Sequence, residues 1–280
     1  MKQRAIKAGL VAETVAGLAV RANTHADGKT KAALIKARAD ETSPLAKSAL
    51  GMVCRNMEIA AAEGMPMCQD TGMAVVFVEI GQEVYVDGNL EDAINEGVRR
   101  GYRDGFLRAS VVNCPAAREN TKDNTPAVIH YKLVPGDGLK IAVMPKGFGS
   151  ENKSALKMLV PAAGMEGAAD FVVETVRAAG QDPCPPIVVG VGIGGTMEKA
   201  ALLSKEALLH MFSPTADDFF AGLELRLLER INALNIGAAG FGGTHTALGV
   251  KILTYPTHIA GLPVAVNIGC HVSRHMEAVL

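Results

Sequence analysis

Through residues 1–62 the apolar positions recur every three to four residues among abundant Ala, Lys and Glu, a period that predicts helices. Ser43-Pro44 supplies an N-cap and a first helical residue, and Gly64 and Pro66 close the region. The pattern changes at Met73–Ile80, MAVVFVEI, a continuous apolar run of strand length that predicts a buried strand. Leu90–Arg103 returns to the helical period, with Asn89 placed to cap it.

Val128–Val134 and Leu139–Met144 read as two strands joined by Pro135-Gly136-Asp137-Gly138, a strong turn signal. Lys146–Ser150 reads as a loop, followed by helical segments to about Ala179. Pro186–Ile193 predicts a second buried strand. Helices follow over Met197–Leu208 and Ala216–Leu234, then a glycine-rich loop over Gly237–Gly243. Leu248–Tyr255 and Pro263–Ile268 are the last strand candidates. Intermixed helices and strands predict an α/β (mixed α+β) class: a mixed sheet packed with helices, preceded by an N-terminal helical segment. Residues 1–280 read as one domain, with 1–62 a candidate helical subdomain, because no composition shift marks a boundary.

Composition narrows the function classes. A formal net charge of −1, only four Tyr and eight Phe, and no Trp give no basic or base-stacking surface for nucleic acid. Apolar runs fall short of a membrane span, and Glu13 interrupts the N-terminal run that a signal peptide would need. The expected compartment is the cytoplasm. Five cysteines in a chain of this length argue against a disulfide framework.

Three of those cysteines sit where a loop meets a predicted strand: Cys68 before Met73–Ile80, Cys184 before Pro186–Ile193, and Cys270 after Pro263–Ile268. Such positions can converge at one sheet edge, where ligand sites form. Cys54 falls within a helix, as a buried thiol would, and the context of Cys114 excludes nothing. Spacing alone leaves open that all five are unliganded, since there is no CxxC pair. Three thiolates on a four-iron cluster would leave one iron open to act as a Lewis acid.

Other polar residues cluster near these loops. Gln69 and Asp70 follow Cys68; a carboxylate there could move a proton and an amide could hold a carboxylate, while an Asx-type turn is the plain alternative. Arg108 offers a fork that matches a carboxylate, or a solvated charge. Lys146-Gly147-Phe148-Gly149-Ser150-Glu151-Asn152-Lys153 puts glycines before a predicted helix whose N–H groups would suit an anion. Gly190–Gly195 fits GxGxxG, but no second strand ending in an acid follows, so close helix–strand packing explains it better than a dinucleotide. His258 lies in the loop before the last strand, towards the end away from Cys270. HExxH and GxSxG are both missing, which disfavours a zinc hydrolase and a serine hydrolase.

Taken together, Cys68-Gln69-Asp70-Thr71-Gly72, Leu107-Arg108-Ala109-Ser110, Glu119-Asn120-Thr121 with Asn124–Ala127, Lys146–Lys153, Cys184-Pro185-Pro186 and Gly261-Leu262-Pro263 leading to Cys270 resemble the class I, iron–sulfur fumarate hydratases and the related L-tartrate dehydratases. The pieces run in the family's order across about residues 50–270. The resemblance implies a [4Fe-4S] cluster on Cys68, Cys184 and Cys270. It also implies a dicarboxylate substrate contacted by Gln69, Asp70, Arg108, the backbone at Gly147 and Gly149, and His258. Asp70 is implied in proton transfer.

The chain stops soon after the third cysteine, so it resembles the alpha subunit of the two-subunit form. A beta subunit is then implied to complete the active site with further arginines, a lysine and a threonine, in an alpha2beta2 hetero-oligomer. The implied reaction is reversible hydration of fumarate to L-malate, with tartrate dehydration as the neighbouring alternative. A non-catalytic scaffold with structural cysteines is the alternative of another class. His271 and Val272 follow Cys270 where some relatives carry Ser and Ala, and the first 45 residues match least.

Overall fold

The computed structural model of the chain describes residues 4–280; Met1–Gln3, the start of the predicted N-terminal helix, lie outside the described residues. In chain order the elements are β1 (Arg4–Lys7), α1 (Ala8–Thr24), α2 (Gly28–Asp40), α3 (Pro44–Glu63), β2 (Met73–Gly81), β3 (Val84–Asp87), α4 (Leu90–Asp104), β4 (Val128–Val134), β5 (Leu139–Lys146), α5 (Phe148–Glu151), β6 (Ala155–Leu159), α6 (Gly164–Ala179), β7 (Ile187–Gly194), α7 (Met197–Leu209), α8 (Asp218–Asn232), β8 (Ala247–Tyr255), β9 (Leu262–Gly269) and β10 (Met276–Val279). The mixed α/β class expected from the pattern is what the chain forms. Among the described residues no helix is long and apolar enough to cross a membrane.

The chain divides into two compact units. The first comprises Met1–Asp27, Met57–Phe148 and Arg274–Leu280, and the second Gly28–Asn56 and Gly149–Ser273. In the first, a four-stranded mixed sheet runs in the order β10-β5-β2-β4, and β1 pairs with β3. Alternate residues of β2 (Ala74, Val76, Val78) and β5 (Leu139, Ile141, Val143) meet α1 and α4 in one core. Asn89 caps α4 by accepting the Asp92 N–H at 3.1 Å, as predicted. The turn at 135–138 joins β4 to β5, although these strands do not pair with each other: both flank β2.

In the second unit the sheet order is β6-β9-β7-β8, with β7 parallel to β8 and antiparallel to β9. Ile187, Val189, Val191 and Ile193 point from β7 into a core with α6 and α8. The intervening Gly190 and Gly192 face α7. A Cβ at either would stand 2.1 Å from a carbonyl oxygen of that helix, Ser204 or Ala200 respectively. The GxGxxG run is therefore a packing motif, as the sequence suggested.

Some predicted elements change. The stretch after Ser150 was expected to be helical to Ala179, but Ala155–Leu159 is a strand. It pairs antiparallel with β9, and helix resumes only at Gly164. Its pattern of mostly exposed positions carries little periodic signal, and the pairing that fixes it is 111 residues away in sequence at Ala155↔Val266, a separation local propensity cannot register. The four-residue strands β1, β3 and β10 were likewise not predicted, being shorter than a period needs.

Substituting Gly192→Ala is expected to destabilise the protein by about 3 kcal/mol, because a methyl group meets the Ala200 carbonyl. Gly17→Ala, on the exposed side of α1 with nothing within 4 Å of the added atom, is expected to stabilise by about 0.5–1 kcal/mol. Chemical denaturation of the two variants reads both values.

Candidate active site

In the first unit, the residues after Cys68 fold into a tight loop that feeds β2. Gly72 has φ +73°, and a Cβ there would lie 2.7 Å from the Lys146 backbone, so only glycine lets the loop pass β5. The Tyr102 hydroxyl donates to the carbonyl oxygens of Thr71 (2.7 Å) and Gly72 (3.0 Å), and Asn124 Nδ2 donates to Gly72 O at 3.1 Å. Burial pushes the Tyr102 pKa up, so the phenol stays protonated and donating. Thr71 Oγ1 donates to the Arg108 carbonyl at 3.0 Å, which fastens the Leu107–Ser110 segment to the same loop.

Asp70 stands at the middle of this arrangement. One carboxylate oxygen accepts the Gly72 N–H at 3.0 Å and the other accepts the Phe148 N–H at 2.8 Å. The Asx-type turn is thus formed, and the same side chain also reaches the start of α5. The anion at the helix start, expected from the glycine loop, is the chain's own Asp70. The side chains of Gln69 and Arg108 are exposed beside this loop.

In the second unit, β7 and β9 run antiparallel with Val188 opposite Gly269, so the start of β7 and the end of β9 share one end of the sheet. That register brings Cys184 and Cys270 together, as their loop–strand positions suggested. His271 ties the two segments: its Nδ1 lies 2.9 Å from the Cys184 carbonyl oxygen. Cys184 itself has φ +55°, a conformation non-glycine residues adopt only when their surroundings hold them. Its N–H donates to Gln181 O at 3.1 Å, and the Ala239 N–H donates to Pro185 O at 2.8 Å. The five cysteines are thiols, not disulfide partners.

The glycine-rich loop supplying Ala239 is anchored by a residue that sequence reasoning passed over. Glu41, buried between α2 and α3, accepts from the N–H groups of Thr42 and Ser43 (both 2.9 Å) and of Thr244 (3.0 Å). His245 Nδ1 lies 3.1 Å from it. Further along, Glu151 pairs with Lys205 and accepts from Asn267 Nδ2 at 3.2 Å, three residues before Cys270. His258, in the β8–β9 loop, stands at the end of the sheet away from Cys184 and Cys270, separated from Cys270 by the length of β9, roughly 25 Å. Arg274, 6 % exposed and bonded to Asn23 Oδ1 at 3.0 Å, was also missed. Among the described residues no three His, Cys, Asp or Glu side chains are gathered as a single metal ion would require.

The fold is that of an α/β protein with two mixed-sheet units, which carry thiols and a backbone-clamped carboxylate in the loops beside their strands. The sequence pattern of the fumarate hydratase (Fumerase) family matches residues 12–279, and the chain belongs to that family. It is 41 % identical over 272 residues to a Methanocaldococcus jannaschii protein provisionally named L(+)-tartrate dehydratase subunit alpha, covering 94 % of this chain and 95 % of the relative. It is 32 % identical over 278 residues to the L(+)-tartrate dehydratase subunit alpha of Escherichia coli, covering 98 % and 91 % of the two chains.

Glu41 gives a pH signature. Burial alone would raise its pKa, but donation from the Ser43 N–H, His245 and Thr244 outweighs it and lowers the value from 4.5 to about 2. The folded value is below the unfolded one, so this stabilisation is full above pH 4.5 and is lost as pH falls towards about 2. Thermal melts should show wild type losing stability through that window more steeply than Glu41→Gln, which should already melt lower at pH 7. Parallel profiles would contradict this role.

Proposed function

We propose that this chain is the alpha subunit of an iron–sulfur hydro-lyase that reversibly hydrates fumarate to L-malate in the cytoplasm, acting with a beta subunit that completes the active site, as an alpha2beta2 assembly. The observation that carries the reading is Asp70: a carboxylate fixed by two backbone N–H groups, two residues after a loop thiol. Membership of the fumarate hydratase family supports it.

The residues to hold a [4Fe-4S] cluster are Cys68 of the first unit with Cys184 and Cys270 of the second. The donor set fits in its chemistry: soft thiolates suit iron–sulfur clusters, and two of the three already share a sheet end. Four irons spread their thiolates more widely than one ion does, so a cluster needs no compact mononuclear site. Bound, the cluster would supply an iron without a protein thiolate, a Lewis acid for the departing hydroxyl.

Asp70 takes the proton from the carbon beside that hydroxyl, either directly or through a partner residue. Its two N–H contacts orient it before substrate arrives. Gln69 and the fork of Arg108 hold the substrate carboxylates, and the backbone at Gly147 and Gly149 borders them. No role at the cysteines of its own chain is assigned to His258.

A second reading, L(+)-tartrate dehydration, is favoured by the names of the relatives, and it differs by one substrate hydroxyl. Anaerobic co-expression with the beta subunit, followed by assays on fumarate, L-malate and the tartrate isomers, separates the two. Cys68→Ser, Cys184→Ser and Cys270→Ser are each expected to abolish bound iron and turnover together. Asp70→Asn should keep the iron and lower kcat by about 100-fold or more. Normal turnover in Asp70→Asn would refute the proton-transfer role.

A further inference from the structure

Arg274 is a buried cation short of partners. It enters the first unit on the segment leading into β10 and is 6 % exposed. A guanidinium carries five N–H donors, and taking its charge out of water is costly unless an anion faces it. Among the described residues its hydrogen bond goes to Asn23 Oδ1, a neutral acceptor, and no ion pair forms to it. Among the described residues the one fully buried side-chain atom without a partner is Asn267 Oδ1, so the spare donors of Arg274 keep access to solvent.

One of those donors, Nη2, lies against the backbone of Gly147. A Cβ built on Gly147 would lie 3.2 Å from Arg274 Nη2 and 3.1 Å from Asp70 Oδ2. A guanidinium and a carboxylate therefore flank one point, and glycine leaves that point empty of side chain. The Phe148 N–H, next in sequence, bonds that same oxygen, Asp70 Oδ2, at 2.8 Å, and the Gly72 N–H holds the other.

We propose that Arg274 is a substrate-binding residue, whose guanidinium takes, over Gly147, the dicarboxylate's carboxylate next to the carbon that loses its proton. This rests on the hydro-lyase reading for the identity of the substrate. The chemistry suits the position. As the C–H bond breaks and its proton passes to a base, negative charge develops on the adjoining carboxylate, where a preorganised guanidinium stabilises it most. Gripping that carboxylate beside Asp70 also brings the C–H within the reach of Asp70. A lysine cannot reproduce the planar fork.

The test uses the anaerobically reconstituted alpha–beta complex and succinate, a dicarboxylate with no hydroxyl to lose. Calorimetric titration of wild type, Arg274→Lys and Gly147→Ala is read beside iron content, melting temperature and turnover. Arg274→Lys should weaken succinate binding about tenfold or more, with iron content held, KM raised and kcat lowered. Gly147→Ala keeps Arg274 but sets a methyl group against its Nη2 and Asp70 Oδ2, over the glycine where the carboxylate would be taken, and should weaken succinate binding as well. That second variant decides the matter if Arg274→Lys does not fold. Wild-type affinity in Gly147→Ala together with wild-type affinity or failed folding in Arg274→Lys overturns the proposal, as does a wild-type complex that binds no succinate. Succinate binding that depends on Arg274 and Gly147, in a complex that turns over neither malate nor tartrate, would sink the hydro-lyase reading and leave the carboxylate site standing.

Discussion

The Asp70 carboxylate is the constraint on which the first unit's site depends. One oxygen closes its own turn onto Gly72 and the other reaches across to Phe148, 78 residues on. Charge-assisted bonds to backbone N–H groups are short and strong, so the loop after Cys68 and the glycine loop after β5 are held to one another through a single side chain. Gly72 makes the approach sterically allowed, and the buried Tyr102 hydroxyl satisfies the two carbonyls that the tight loop would otherwise leave unpaired. The same contacts that fold the loop thus leave a carboxylate oriented before any ligand binds.

The second unit solves a related problem with different parts. Cys184 sits in a left-handed conformation that its neighbours impose: Gln181 from before it, His271 from beyond the end of β9, and the glycine-rich loop through Ala239 onto Pro185. That loop is fixed in turn by Glu41, a buried carboxylate whose donors come from both sides. Backbone strain at a thiol persists only where surroundings over-determine it, and such places gather at functional sites. The antiparallel register of β7 and β9 then puts Cys270 at the same sheet end.

Much of this was legible in the chain. Residue patterning located most strands and helices, Asn89 announced its cap, and the positions of Cys184 and Cys270 at strand ends anticipated their shared sheet end. Local sequence could not show what long-range contacts decide. Ala155–Leu159 is a strand because β9 pairs with it, not because of its own period. Glu41 meets Thr244 across 203 positions, and Arg274 meets Asn23 across 251, so neither stood out until the chain was folded. Arg274 in particular reads as an ordinary charge between Ser273 and His275; only its burial beside Gly147 and Asp70 gives it significance.

The central claim is that this chain's three strand-end thiols hold a cluster with one iron open to a dicarboxylate. Mössbauer spectroscopy of the alpha–beta complex, reconstituted anaerobically with iron-57, tests it most directly. The account predicts a four-iron spectrum in which one site alone shifts when malate or tartrate is added. A complex that retains no iron, or whose iron sites all ignore both dicarboxylates, would contradict it.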